Sequence, residues 1–358
     1  ADMTEPNKAA AELLEASALG YAAAAASALL QDHDAIHSQY GPGAMASWKS
    51  HFIQRLLELA AAVRMGEPRL FAARIVWQQK AFAARESNPD DLRHALLSLK
   101  DALAAELPSD LRDSVGQHLQ AGLDALDAEH ESDSSRLDPN DASDALALKY
   151  IVACLEGDPA RAIRLVLDAA RNGMSIEEAY LNVLFPAQKE IGRMWHAAEA
   201  SIADEHVVTE TTRRTMVLLT HEHATSADTE KTILAAAVAG DAHDLGIRAV
   251  ADFFQVAGWR AISLGSDVPT ADLAKAAKFF GAELVVLSTT LSTQLKNLQT
   301  SIESIRATCG HDVKIIVGGH AFVDVPELWK STGADGYASN PSDAVELGSA
   351  LVGLPKSG

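Results

Sequence analysis

Residues 232–246 read Thr-Ile-Leu-Ala-Ala-Ala-Val-Ala-Gly-Asp-Ala-His-Asp-Leu-Gly, and this stretch decides the fold. Its first half is a short apolar run of strand length that ends at Gly240. Its second half is a polar turn leading into a run of helical period. A strand, a Gly-containing turn and a helix form half of a βαβ unit. Three more short apolar runs follow, Ala261–Leu264, Leu284–Leu287 and Val313–Val317, separated by stretches long enough for helices. The alternation predicts a doubly wound, flavodoxin-like parallel sheet over residues 230–358.

In such a sheet the turns after the strands gather at the carboxyl edge, where ligands bind. Three turns there are polar or Gly-rich: Asp241-Ala242-His243-Asp244-Leu245-Gly246, Ser288-Thr289-Thr290 and Gly318-Gly319. His243 is a neutral-imidazole metal ligand by type, and Asp241 can take the other ring proton and fix the tautomer. A lone Asp-x-His also suits a flavodoxin-like sheet with an unrelated loop. The three-part spacing sets this stretch apart.

These residues resemble the cobalamin-binding module of methionine synthases and mutases, whose pattern is Asp-x-His-x-x-Gly, then Ser-x-Leu, then Gly-Gly. Thr290 departs from the family's Leu. The resemblance implies that cobalamin binds base-off, with His243 as lower axial cobalt ligand. The displaced nucleotide tail would lie beside Ser288 and Thr290, in room left by Gly318 and Gly319. Gly246 is expected to let the chain turn closely into the helix.

Upstream, residues 141–229 read as a four-helix bundle. Asp158-Pro159, Ser175-Ile176-Glu177-Glu178 and Ser201-Ile202-Ala203-Asp204 are helix starts. Trp195-His196 closes the third helix and Glu205-His206 opens the fourth, with nine residues between Trp195 and Glu205. This resembles the Trp-x9-Glu-His signature of light-sensing cobalamin proteins. It implies a bundle capping the upper face of adenosylcobalamin, with Trp195 on the adenosyl group and Glu205 and His206 holding its surroundings. His196 would become an upper cobalt ligand after light.

Residues 1–130 read as about five helices without a strand, and 131–140 as a polar linker. A helical, globin-like domain ahead of the bundle resembles the order in photocobilins and implies biliverdin. Arg74 and Trp77, three apart on one helix face, are the candidate contacts, with Arg85 and Arg93 beside them. Cys154 and Cys309 are the two cysteines, so a thioether-linked bilin in this domain is excluded.

The 358 residues suffice for two or three cores. A net charge of −19 argues against nucleic-acid binding. No secretory or membrane-spanning segment is apparent, and two cysteines suit a reducing cytoplasm. His221-Glu222-His223 reads as an exposed face, since residues two apart on a helix diverge. Trp259 reads as a packing residue, and Ser288 has no His-Asp partners for hydrolysis. The expectation is a non-catalytic, light-responsive homo-oligomer that signals by changing its domain arrangement or self-association, or through a separate effector. The alternative is a corrinoid methyl carrier of a methyltransferase system, and a third possibility is a cobalamin store.

Overall fold

The computed structural model describes residues 5–84, 88–128, 135–223 and 229–354. Contacts divide the chain into two compact units. The first holds residues 1–130, 290–296 and 320–333; the second holds 131–289, 297–319 and 334–358.

The first unit is helical: α1 (Glu5–Ala16), α2 (Ala18–Asp32), α3 (Asp34–Tyr40), α4 (Ala44–Met65), α5 (Pro68–Ala84), α6 (Pro89–Glu106) and α7 (Ser109–Asp127). Among the described residues seven helices stand where the sequence predicts about five. His33 divides α2 from α3, and a Gly-Pro-Gly turn at Gly41–Gly43 divides α3 from α4. Asn88 caps α6 by accepting from the Asp90 N–H, as its position before Pro89 predicts. Small and large residues interlock in this core: Phe71 lies against Gly122, where a Cβ would come within 2.8 Å of its ring. Among the described residues no single helix is long and apolar enough to cross a bilayer.

The second unit begins with the bundle: α8 (Ala142–Leu155), α9 (Pro159–Arg171), α10 (Ile176–Glu178), α11 (Phe185–His196) and α12 (Ile202–His223). A π-helical segment, Ala179–Leu184, joins α10 to α11, so the two make one continuous third helix. The capping box is formed, with the Ser175 hydroxyl and the Glu178 carboxylate each bonding the other's backbone N–H. Ser201 and Asp204 repeat the exchange at α12. Of the predicted linker, residues 131–134 lie outside the described residues.

The sheet follows, with β1 (Thr232–Val238), α13 (Leu245–Val256), β2 (Arg260–Val268), α14 (Thr270–Phe280), β3 (Leu284–Ser288), α15 (Leu295–Cys309), β4 (Lys314–Gly318), β5 (Gly336–Tyr337) and α16 (Pro341–Leu351). The strands run parallel in the order β2-β1-β3-β4-β5. The fold is therefore the expected helical region followed by a parallel α/β domain. β2 is longer than its apolar run, extending through a bulged register to Val268. β5, with two residues, is too short for its pattern to announce it. Trp259 is buried edge-on to Phe254, as a packing residue should be.

The order places the switch point between β1 and β3: the chain goes from β1 out to β2, then returns to β3 on the other side. The turns after β1 and β3 therefore open the crevice of the sheet. The bundle and sheet share a core, in which Ala249 and Phe253 of α13 pack with Tyr180, Val183 and Ala187. Two polar ties reinforce it. The Tyr180 hydroxyl donates to Asp252 Oδ2 at 2.8 Å, and Arg213 pairs with Asp244 at 2.8 Å.

Candidate functional site

The loop after β1 is built to hold one imidazole. Asp241 has no exposed surface, and its Oδ1 accepts from the His243 backbone N–H at 3.1 Å and from the His243 ring Nδ1 at 3.0 Å. With Nδ1 so occupied, Nε2 is the nitrogen left for a metal, and the His243 side chain is 64% exposed. The bond to Asp241 holds the imidazole pKa above the ordinary histidine value. Burial opposes this, and the charges of Asp241, Glu205 and Asp244 add to it. Glu205 of α12 is thus close enough to act electrostatically on His243.

Two residues that motif reading missed brace this loop. Asp267 at the end of β2 accepts the Gly240 N–H at 2.7 Å and donates its own N–H to the Asp241 carbonyl at 2.9 Å. It does so with φ +52°, an uncommon conformation for a residue with a side chain. Asn297 donates to the Ala239 carbonyl at 2.7 Å. Both lie more than twenty residues along the chain from His243, and folding alone brings them to its loop.

Beside the loop lies a cavity of about 390 Å³ lined by Gly246, Ser288, Gly318, Gly319, Ala338 and Pro341 among others, with Leu181, Phe185, Gln188 and Lys189 from the bundle. Gly246 has an ordinary helical setting, and a Cβ there would meet nothing within 4 Å. The close turn expected from sequence is therefore not what Gly246 makes; it stands on the cavity wall. Gly318 and Gly319 also line the cavity, but packing constrains them as well. A Cβ on Gly318 would come within 2.8 Å of the Ala338 carbonyl, and one on Gly319 within 2.4 Å of that of Thr289. Thr290 does not line the cavity. The chain turns directly into Ser292–Gln294, and the Gln294 side chain takes the Thr290 N–H at 3.2 Å.

A macrocycle bringing its own metal needs one axial nitrogen and space for its tail. The single oriented imidazole and the glycine-lined cavity fit that demand. Among the described residues no group of three or more His, Cys, Asp or Glu side chains could hold a free metal ion. His221-Glu222-His223 is no exception: Glu222 pairs with Arg171 at 2.8 Å and His223 bonds the Leu219 carbonyl.

A family model described as B12 binding domain matches residues 231–346, and another of the same description matches 146–220. Dimethylamine corrinoid protein 3 of Methanosarcina mazei is 33% identical over 117 residues, covering 32% of this chain and 68% of that protein. The chain belongs to the B12-binding protein family. A corrinoid protein of Desulfitobacterium hafniense is 26% identical over 207 residues, which are 56% of this chain and 94% of the relative. The solved monomethylamine corrinoid protein of Methanosarcina barkeri matches at 23% identity with a TM-score of 0.52, covering 59% of this chain and 100% of that one, a likeness of fold. These findings support the corrinoid-carrier alternative better than the photoreceptor expectation.

The bundle residues ahead of this B12-binding domain are placed as follows. α11 ends at His196 and α12 begins at Ile202, so Trp195 and Glu205 flank one short connection. Its Ala198 has φ +58°. Glu205 bonds the neighbouring His206 ring through Oε2 at 2.6 Å, and its Oε1 accepts from the Thr209 hydroxyl at 2.6 Å. His196 is only 6% exposed, while His206 is open to solvent.

In the first unit, Arg74 lies over the Trp77 ring at 4.6 Å, the shared face predicted from their spacing. Trp77 lines a cavity of about 360 Å³ with Tyr40, Trp48, His51, Gln78 and Phe82. Trp48 Nε1 and His51 Nε2 are buried without hydrogen-bond partners. Burial, with the Arg55 charge nearby, pushes His51 down to about 3, so the ring is neutral at physiological pH. The sequence reading missed Trp48 and His51, although Trp-x-x-His places both on one face of α4. Arg93 pairs instead with Asp127. Arg85 lies outside the described residues.

Proposed function

We propose that this chain is a corrinoid carrier protein that holds cobalamin base-off on His243 and presents its upper face to the bundle. The observation that carries the proposal is the Asp241–His243 pair beside the cavity bounded by Gly246, Ser288 and Gly318-Gly319. When bound, cobalamin supplies a cobalt that can carry an alkyl group. Asp241 orients the imidazole, the cavity takes the tail, and the bundle encloses the other face. The relatives' names tie them to dimethylamine and monomethylamine, which makes methyl the first group to test. A separate partner protein would supply and remove it, with this chain as carrier in a reducing cytoplasm.

A second reading has its own support. Trp195 and Glu205 flank the connection between α11 and α12, and the Glu205 charge acts on His243; a flat ring and a held carboxylate would suit an adenosyl group. In that reading the chain is a photoreceptor, and light-driven loss of the adenosyl group alters its domain arrangement or self-association. His206 would hold the surroundings, and the buried His196 would reach cobalt only after rearrangement. The cavity of the first unit, with the Arg74–Trp77 stack and two unpartnered N–H-bearing rings, would hold biliverdin without a cysteine bond.

One experiment separates the readings. The apoprotein is titrated in darkness with methylcobalamin and adenosylcobalamin, then illuminated, while the spectrum and elution volume are followed. Tight methylcobalamin binding and an elution volume indifferent to light support the carrier. Preferential adenosylcobalamin binding with a light-dependent elution shift supports the photoreceptor. A His243→Ala protein that retains the histidine-ligated spectrum refutes both. Co-expression with a biliverdin source tests the second cavity by a red-absorbing band that Trp77→Ala removes.

A further inference from the structure

The tail cavity is aliphatic inside and has few hydrogen-bonding groups to spare. Its walls include Ile247 and Val250 of α13, Val286 of β3, Val317 of β4, and Pro341 and Ala344 of α16. All of these but Val250 are buried. The strand backbones that border it are already paired. Val286, Leu287 and Ser288 stand in register with Ile316, Val317 and Gly318. The Gly318 carbonyl accepts from the Thr289 N–H at 3.0 Å, and the Val317 carbonyl from the Ala338 N–H at 3.1 Å.

The polar side chains on the wall are mostly engaged elsewhere. The Ser339 hydroxyl donates to Asp343 Oδ2 at 2.5 Å. Asn340 accepts from the Asp343 N–H at 2.9 Å, and its amide donates to Ser339 Oγ, so both residues serve the start of α16. Gln188 is held by Thr209 and Thr212. Lys189 is exposed, and an ammonium has no acceptor to offer. Of the two wall hydroxyls, that of Ser288 is the one left without a partner among the described residues.

That inventory matches one kind of base. Dimethylbenzimidazole is a flat, apolar bicycle. With one ring nitrogen joined to its sugar, it presents the other as a lone acceptor and carries no donor. The Ser288 hydroxyl can satisfy that nitrogen, and the aliphatic wall suits the remainder. Adenine in the same position brings further ring nitrogens and an exocyclic amine. The amine needs an acceptor, and the wall side chains have none uncommitted beyond the Ser288 oxygen. Its hydration would be lost without replacement.

We infer that this cavity is a filter on the lower base of the cofactor. It admits benzimidazole- and phenol-type tails and discriminates against purine-type tails, with Ser288 reading the lone ring nitrogen. The inference rests on the base-off carrier reading above and names which corrinoids that reading allows.

The test is titration of the apoprotein, in darkness, with methylated corrinoids that share one corrin ring: cobalamin, p-cresolyl cobamide, adeninyl cobamide and tail-less cobinamide. The absorbance change on histidine ligation is followed. p-Cresol has no nitrogen to bind cobalt and adenine binds it weakly, so these two differ in the cavity and not in the work of freeing the base. Adeninyl cobamide is expected to bind about five- to 100-fold more weakly than p-cresolyl cobamide, the cost of one or two buried polar groups left unsatisfied. Ser288→Ala should weaken cobalamin binding by about three- to tenfold, one neutral hydrogen bond, and leave p-cresolyl cobamide within about twofold, since the cresol ring has no nitrogen to read. Adeninyl and p-cresolyl affinities within about twofold of each other, with histidine ligation seen for both, overturn the filter and leave the base-off reading standing. Equal losses for cobalamin and p-cresolyl cobamide in Ser288→Ala overturn the part given to Ser288. Cobinamide bound as tightly as every tailed corrinoid, or histidine ligation in none of them, overturns the base-off reading itself.

Discussion

Replacing Asp241 by Asn removes a charge while keeping the shape, and it isolates what that carboxylate does for His243. The same Oδ1 accepts a backbone N–H at 3.1 Å and the ring Nδ1 at 3.0 Å, in a side chain with no exposed surface. Asn can keep one or both bonds, so the loop should fold. What it loses is the negative charge that makes Nε2 a stronger donor. Changes to groups that orient a metal-bound histidine cost about 10- to 100-fold in affinity, equivalent to about 1.4–2.8 kcal/mol. Titration of the apoprotein with hydroxocobalamin, followed by absorbance, should show a dissociation constant weaker by that factor. The same change made in a His243→Ala background should cost little further, because there is no imidazole left to orient. Binding within twofold of wild type would falsify the argument. So would a loss of the same size in the His243→Ala background, which would reduce Asp241 to a loop-building residue held by Asp267.

Three further outcomes follow from the geometry. Gly246→Ala should fold as wild type, since its Cβ meets open space, yet bind cobalamin more weakly; Gly319→Ala, at φ +106° with the Thr289 carbonyl 2.4 Å from the new carbon, should lose about 2–3 kcal/mol in urea unfolding. Equal stability of the two variants would contradict this. Tyr180→Phe takes the 2.8 Å donor from the partly buried Asp252, which keeps its bond to Thr220, and should cost about 1–2 kcal/mol, with a coupling of about 1 kcal/mol in a cycle with Asp252→Asn; a coupling near zero would show that the bond contributes nothing. His51 is held down at about 3 against an unfolded value of 6.5, so the unfolded chain binds the proton first. Its contribution to stability is complete above pH 6.5 and declines as pH falls towards 3, by at most about 1.4 kcal/mol per unit. His51→Phe should flatten that decline in urea midpoints measured between pH 7 and pH 5, and an unchanged slope would refute the burial argument.

The sheet was legible because β1, β3 and β4 are runs of β-forming apolar residues ending at an Asp-x-His turn, Ser and Gly, and local composition is enough to mark them. The bundle helices announced themselves through caps whose bonds are local in sequence, such as Ser175 with Glu178. The supports of the site were not legible for the opposite reason. Asp267 and Asn297 reach the His243 loop only because parallel pairing brings β2 and the start of α15 to the same sheet edge. Gly246 was seen but misread, since sequence cannot distinguish a glycine that bends a chain from one that leaves a void. Trp48 and His51 lay in a run that reads as ordinary helix core, and only the folded unit shows their ring nitrogens buried without partners. Thr290 shows the limit of motif alignment: two residues past Ser288 on the cavity wall, the backbone has already turned away.

The two ties on α13 differ in character, and this has a kinetic consequence. Arg213–Asp244 is an ion pair whose Arg213 side chain is 29% exposed, whereas Tyr180–Asp252 is a hydrogen bond from a buried phenol to a partly buried carboxylate. Salt weakens the first and scarcely touches the second. If admission of a bulky macrocycle requires the bundle to swing off the helix that follows His243, ionic strength should accelerate loading without hastening escape of the enclosed corrinoid's tail. The outer tie then behaves as a latch and the inner one as a hinge pin.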